Sequence, residues 1–291
     1  MKVLSNRLFL MALVYAVMLV FFYAVYGNLI TTAGAAVAAI GVLLCGLSLV
    51  SNNSWLRNWI PFLTIIFSYE ALGGIYRAAE STRGVFEVYR LDHALWGFNM
   101  TGAVQTTLMS KSFTSFMTDV YALHLPLVVF SAFFLWYVNR RAYRKYLYSI
   151  SLVVFLSLFT FLSLPSAPPW YSGQALNLLA SNGASKSLYS TLSSIVESDP
   201  LAAFPSLHAG LALLFLYGMW SARRLYGVLA IPVVFLVLLS TVYLGQHFTV
   251  DLLAGGIYSL VGVFFAERFS SNIITGSRIR RVPKESRAER S

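Results

Sequence analysis

The chain has 291 residues, 58% of them hydrophobic and only 11% charged, with a mean hydropathy of +0.70. Ordinary soluble domains carry about 25% charge, so this composition argues against a water-soluble globule and makes the bilayer the chain's main solvent. The net charge of +10 is read as membrane-surface charge rather than a nucleic-acid footprint, because most of the excess lies in short loops and the tail, where basic residues attract anionic lipid and set topology.

Apolar windows of about 20 residues predict about eight membrane spans, near residues 8–26, 30–50, 59–79, 118–138, 146–164, 204–221, 225–244 and 247–267. The first is longer than a signal-peptide h-region and has no clear small-residue cleavage site behind it, so it is read as a retained anchor. Cys45, the single cysteine, falls in the second span and leaves neither a disulfide framework nor a thiolate metal site. Gly73-Gly74 in the third span and Gly255-Gly256 in the eighth are read as close helix contacts. Residues 80–117 and 165–203 form the long connections. Within the first, Asp92 and His93 belong to an interfacial segment with Trp96 and Phe98 at headgroup depth. His124 and Tyr121, in the fourth span, are read as interhelical polar contacts, with a place facing the cleft as the other option. Trp170 and Tyr171 read as an aromatic belt or a lid.

Basic residues set the orientation. With both termini cytoplasmic, 16 of the 21 lysines and arginines fall inside, and only Arg77, Arg83, Arg90, Lys111 and Lys186 fall outside, as the positive-inside tendency expects. The same threading brings His208, at the start of the sixth span, and His247 and Asp251, at the start of the eighth, to one non-cytoplasmic face.

Those three residues carry the chemistry. A phosphate ester is anionic and resists attack, so an enzyme needs a nucleophile, a proton donor for the leaving oxygen, and positive charge around the remaining oxygens. On a helix starting near Gly245, His247 and Asp251 would stand at i and i+4 on one face. Asp251 would then orient His247, the nucleophile, as a carboxylate orients histidine elsewhere. Pro205 and Ser206 suit the first turn of a helix whose free N–H groups face phosphate, and Ser206 either adds a hydroxyl donor or simply starts the helix. Aspartate within a span costs about 2.5–3.5 kcal/mol on insertion scales and usually marks function. There is no HExxH and no acidic cluster such as DxDxD, so neither a metal nor any other cofactor is expected.

The phrases Pro205-Ser206-Leu207-His208 and Ser240-Thr241…His247…Asp251 resemble the second and third motifs, PSGH and SRxxxxxHxxxD, of the type 2 phosphatidic acid phosphatase superfamily. Leu207 and Thr241 replace the glycine and arginine of those motifs. Both departures, with Pro165-Ser166-Ala167-Pro168-Pro169-Trp170, look like the inositol phosphorylceramide synthase-like (inositolphosphotransferase) branch. The resemblance implies an all-α bundle with a six-helix catalytic core over residues 59–268, two helices added in front over residues 1–58, and a basic cytoplasmic tail over residues 269–291. It also implies a phosphohistidine on His247, with His208 protonating the leaving group. The superfamily's first basic motif, KxxxxxxRP, is missing, so phosphate-binding charge is assigned to Arg77 first and to Arg83 or Arg90 second. A membrane-end arginine reaching for the interface is the bland reading of Arg77. The expected activity is that of a lipid phosphatase or a lipid head-group phosphotransferase, acting on a lipid phosphate, diphosphate or phospholipid, in the second case with a lipid alcohol as acceptor. The competing expectation is a catalytically silent lipid-binding or translocating membrane protein.

Overall fold

A computed structural model describes residues 85–181 and 201–279, with isolated positions ahead of residue 64. All but isolated positions of the first two expected spans, most of the third, Cys45, Gly73-Gly74, Arg77, Arg83 and Lys186 lie outside the described residues. The described residues form helices α1 (Val88–Trp96), α2 (Met100–Leu108), α3 (Lys111–Ala122), α4 (His124–Val138), α5 (Arg140–Ser163), α6 (Leu178–Ser181), α7 (Leu207–Ala222), α8 (Arg224–Tyr243) and α9 (Thr249–Ile279). No strand occurs among them, only isolated bridges that join Ser166 to Phe86 and to Ala202.

Among the described residues, three segments are long and apolar enough to cross a membrane: Arg140–Phe161, Arg224–Tyr243 and Thr249–Arg268. The expected fourth span, 118–138, is not one straight helix. It is the pair α3 and α4, bent by 49°. The cause is Pro126, which has no N–H to donate and whose ring would strike the Ala122 carbonyl in a continuous helix. The sixth, Leu207–Ala222, is apolar but short.

α7 is the centre of the bundle and packs against α4, α5, α8 and α9. The buried face of α5 carries Tyr143, Tyr146, Leu147, Ile150, Val153, Val154, Leu158 and Phe161, a helical period that lets one side of the span meet protein. On α9 the exposed residues Leu253, Ile257, Leu260 and Phe264 recur along the opposite kind of face. A stripe that apolar, left uncovered, is suited to lipid rather than water.

Small residues let α9 approach its neighbours. A Cβ on Gly255 would lie 2.3 Å from the Ser206 carbonyl oxygen, and the Ser259 hydroxyl donates to the Gly210 carbonyl at 2.8 Å. Gly256 is different, since its nearest neighbour is the Leu213 side chain at 3.5 Å. Only Gly255 is needed for the close approach expected of the pair. At the far end of the bundle, Glu267 receives Lys145 Nζ at 2.6 Å and the Tyr217 hydroxyl at 2.7 Å, tying α5, α7 and α9 together.

Candidate active site

Ser206 opens α7 as its N-cap, accepting from Ala209 N–H at 3.2 Å. A serine there satisfies one of the N–H groups that a helix start leaves unpaired. Pro205 therefore precedes the cap instead of occupying the first turn, which begins at Leu207. The Ser206 side chain is fully buried, and its own N–H donates to the Asp251 carbonyl at 3.0 Å. This geometry gives Ser206 a fastening role between α7 and α9. In the first turn of α7 stands the half-buried His208.

The expected helix start near Gly245 is shifted. α9 begins at Thr249, and His247 sits in the turn before it, so the i, i+4 relation to Asp251 is not one of two helical residues. Gly245 turns the chain at φ +77°, where a Cβ would strike the Leu176 carbonyl at 2.5 Å. Buried Gln105 holds this turn from α2, donating to the carbonyls of Leu176 and Tyr243, both at 2.9 Å. Trp170 fastens it from the other side, its N–H donating to the Gly245 carbonyl and its indole N–H to Gln246 Oε1, both at 3.2 Å. Trp170 thus braces the histidine loop more than it forms a belt. Tyr171 is the exposed one of the pair.

His247 is buried and its Nδ1 lies 3.0 Å from the Ala203 carbonyl oxygen. A carbonyl only accepts, so the proton is on Nδ1 and Nε2 carries the lone pair. His208 Nδ1, 3.2 Å away, then donates to His247 Nε2. Burial pushes the His247 imidazole down to about 4, against the opposing pull of the Ala203 carbonyl. Ala203 is itself fixed by Ser166 of the proline-rich segment, which accepts its N–H at 3.2 Å. Ser166 Oγ also accepts from Phe204 N–H at 2.7 Å.

Asp251 stands one step farther back than the spacing predicts. Its Oδ2 is 3.6 Å from His247 Nδ1, too long for a hydrogen bond, and accepts instead from Phe248 N–H at 2.7 Å. Oδ1 is buried without a partner among the described residues. The Ala203 carbonyl, and not the carboxylate, makes the hydrogen bond to the imidazole. Asp92 performs a second task that the sequence did not disclose. Buried on α1, it accepts from the Thr249 hydroxyl at 2.5 Å and from Val250 N–H at 3.0 Å, capping α9 from across the fold. Trp96 joins it, its indole N–H donating to Thr249 Oγ1 at 2.6 Å.

The break between α3 and α4 brings two further rings to the pair. Tyr121 is stacked on His208 at a centroid distance of 4.5 Å, and His124 lies 4.4 Å from it. Both residues carry the cleft-facing option of the sequence reading, and Pro126 two positions beyond His124 was the signal that the helix would open there.

Of the expected phosphate-binding arginines, Arg77 and Arg83 lie outside the described residues. Arg90 is exposed and paired with Glu87 at the surface, one turn away on α1, and does not join the histidines. No group of three or more His, Cys, Asp or Glu among the described residues is arranged to hold a metal ion. A cavity of about 350 Å³ opens beside Phe248, the residue after His247, between α1 and the proline-rich loop. Phe86, Glu87, Tyr89, Tyr171 and Gln174 contribute to its walls.

A family model described as the PAP2 superfamily matches residues 86–265, well over half the chain and including α1 through most of α9. No curated protein and no solved structure matches it.

Proposed function

The chain belongs to the PAP2 superfamily, and from that premise we propose a membrane-embedded, metal-independent phosphohydrolase or phosphotransferase that works on a lipid phosphate, lipid diphosphate or phospholipid head group. The observation that carries this reading is the hydrogen-bond order Ala203 carbonyl, His247, His208. It leaves His247 Nε2 as a neutral lone pair in contact with a second imidazole that can carry a proton. Nε2 attacks phosphorus and a P–N bond forms. The P–O bond to the leaving group breaks, and His208, doubly protonated once the anionic phosphate is bound, gives a proton to the departing oxygen. Water or a lipid hydroxyl then attacks the phosphohistidine, His208 takes the incoming proton, and Nε2 is released. Asp251 stabilises the positive charge that His247 acquires.

An amphiphilic substrate fits a histidine pair located at helix starts beside lipid-facing stripes, since a head group can reach the pair while its tail stays in hydrocarbon. Placement of this site on the non-cytoplasmic face, with both termini cytoplasmic, is supported by Arg140, Arg141, Arg144, Lys145, Arg223 and Arg224 at the turns leading into α5 and α8, the ends of those helices away from the histidines. The PSLH, Ser240-Thr241 and proline-rich phrases favour the inositolphosphotransferase-like branch, without naming the acceptor. A second reading, a catalytically silent lipid-binding or translocating protein, draws on the lack of any arginine or lysine contact to the histidine pair among the described residues.

The test is phosphate release from a panel of lipid monophosphates and diphosphates by purified wild type and His247→Ala, in EDTA, with and without an added lipid alcohol. Chelator-resistant release that vanishes in the variant supports the histidine reaction, and suppression of free phosphate by the alcohol assigns a transferase. Absence of variant-sensitive turnover on every lipid favours the silent reading.

A further inference from the structure

His124 is 6% exposed, and its Nε2 is buried with no hydrogen-bond partner among the described residues. Leaving such an atom unpaired is unfavourable, so a resting structure that keeps it calls for a partner that arrives later. The ring is not remote from the chemistry. It packs against His208, whose Nδ1 holds the lone pair of the attacking His247 Nε2. That contact must open before Nε2 can reach phosphorus, and His124 lies against the His208 ring. His124 is also the first residue of α4, whose N-cap residue Leu123 provides no side-chain cap.

A bound phosphoryl group brings nonbridging oxygens that gain negative charge as phosphorus is attacked. In other phosphoryl-transfer sites arginine or lysine answers them, but Arg90 is engaged with Glu87 at the surface. We propose that His124 is a third functional histidine, donating from Nε2–H to a nonbridging oxygen of the bound phosphoryl group. This rests on the phosphoryl-transfer reading given above and extends it to a residue outside the His208, His247 and Asp251 set. Tyr121, one turn earlier, keeps the His208 ring in place by stacking on it.

The experiment compares full-length wild type with His124→Phe and His124→Gln, reading both lipid phosphate turnover and inhibition by orthovanadate, a mimic of the five-coordinate phosphorus. His124→Phe keeps an aromatic ring on His208 and removes the nitrogen. The expected result is a loss of about 10²-fold in kcat/KM, typical of deleting one oxyanion donor, with vanadate inhibition weakened in parallel. His124→Gln, which retains an N–H near that position, recovers much of the vanadate sensitivity. His124→Phe within about twofold of wild type in both readouts overturns the proposal while leaving the phosphoryl-transfer reading standing. Wild type with no vanadate-sensitive turnover overturns both. Should His124→Phe not purify folded, His124→Leu against His124→Gln gives the same comparison, and equal loss of vanadate sensitivity in those two overturns the role of the nitrogen.

Discussion

Gly255→Ala is the substitution whose consequence follows most directly from the packing. The added Cβ would lie 2.3 Å from the Ser206 carbonyl oxygen and 3.1 Å from Gly210 N, against an ordinary contact beginning near 3.4 Å. Both obstacles are backbone, so no rotamer change relieves them, and α7 must move about 1 Å away from α9. Overpacking of this kind costs about 1–3 kcal/mol. The movement also falls on the site. Ser206 is bonded to the Asp251 carbonyl at 3.0 Å, and His208 follows two residues later on the helix that would shift. A displacement near 1 Å in a reacting geometry costs about 10²-fold in rate, so Gly255→Ala should lose both melting temperature and lipid phosphate turnover. Gly256→Ala is the internal control, because its Cβ meets only the flexible Leu213 side chain at 3.5 Å. Thermal unfolding in detergent and phosphate release on the same preparations give the two readings. Equal effects at the two glycines, or an unchanged Gly255→Ala, would refute the claim that the α7–α9 approach sets the site.

Asp251→Asn keeps an acceptor for Phe248 N–H and removes the charge. Because the Ala203 carbonyl still fixes the His247 tautomer, the expected loss in kcat is about 10²-fold, the low end for acid–base groups, with KM little altered; abolition of turnover would show that the carboxylate also makes the orienting bond. Asp92→Ala removes the acceptor that serves Thr249 and Val250 and should cost about 1 kcal/mol by unfolding, whereas Asp92→Asn, an equally good cap, should cost little. Equal losses in the two Asp92 variants would point to its charge instead. With His247 lowered to about 4 in the fold and near 6.5 when unfolded, the unfolded chain binds the extra proton between those values. Stability from this group is therefore complete above pH 6.5 and is lost as pH falls toward 4, by about 3 kcal/mol at most. His247→Gln should flatten that part of the melting profile, and an unchanged slope would contradict the buried neutral imidazole.

The membrane class of the chain was legible in the sequence because bilayer solvation acts on composition and run length, both of which are local properties. The apolar runs near 146–164 and 225–244 correspond to α5 and α8 within a few residues for that reason, and Pro126 carried, unread, the break that divides 118–138. His208 and His247 were identifiable as candidates from residue type and spacing. Their contact was not, since it joins positions 39 apart through the packing of α7 on the turn before α9. The bond from His247 to the Ala203 carbonyl has no sequence signature at all, because every residue has a carbonyl and only the fold selects one. Asp92 likewise reads as part of an interfacial segment in the sequence, and only the fold lays α1 across the start of α9, 157 residues downstream. Apolar solvation and helix periodicity, set residue by residue, determined the kind of protein. Close helix approach, which depends on what stands opposite each residue, decided which polar atoms meet and left the His124 nitrogen beside them.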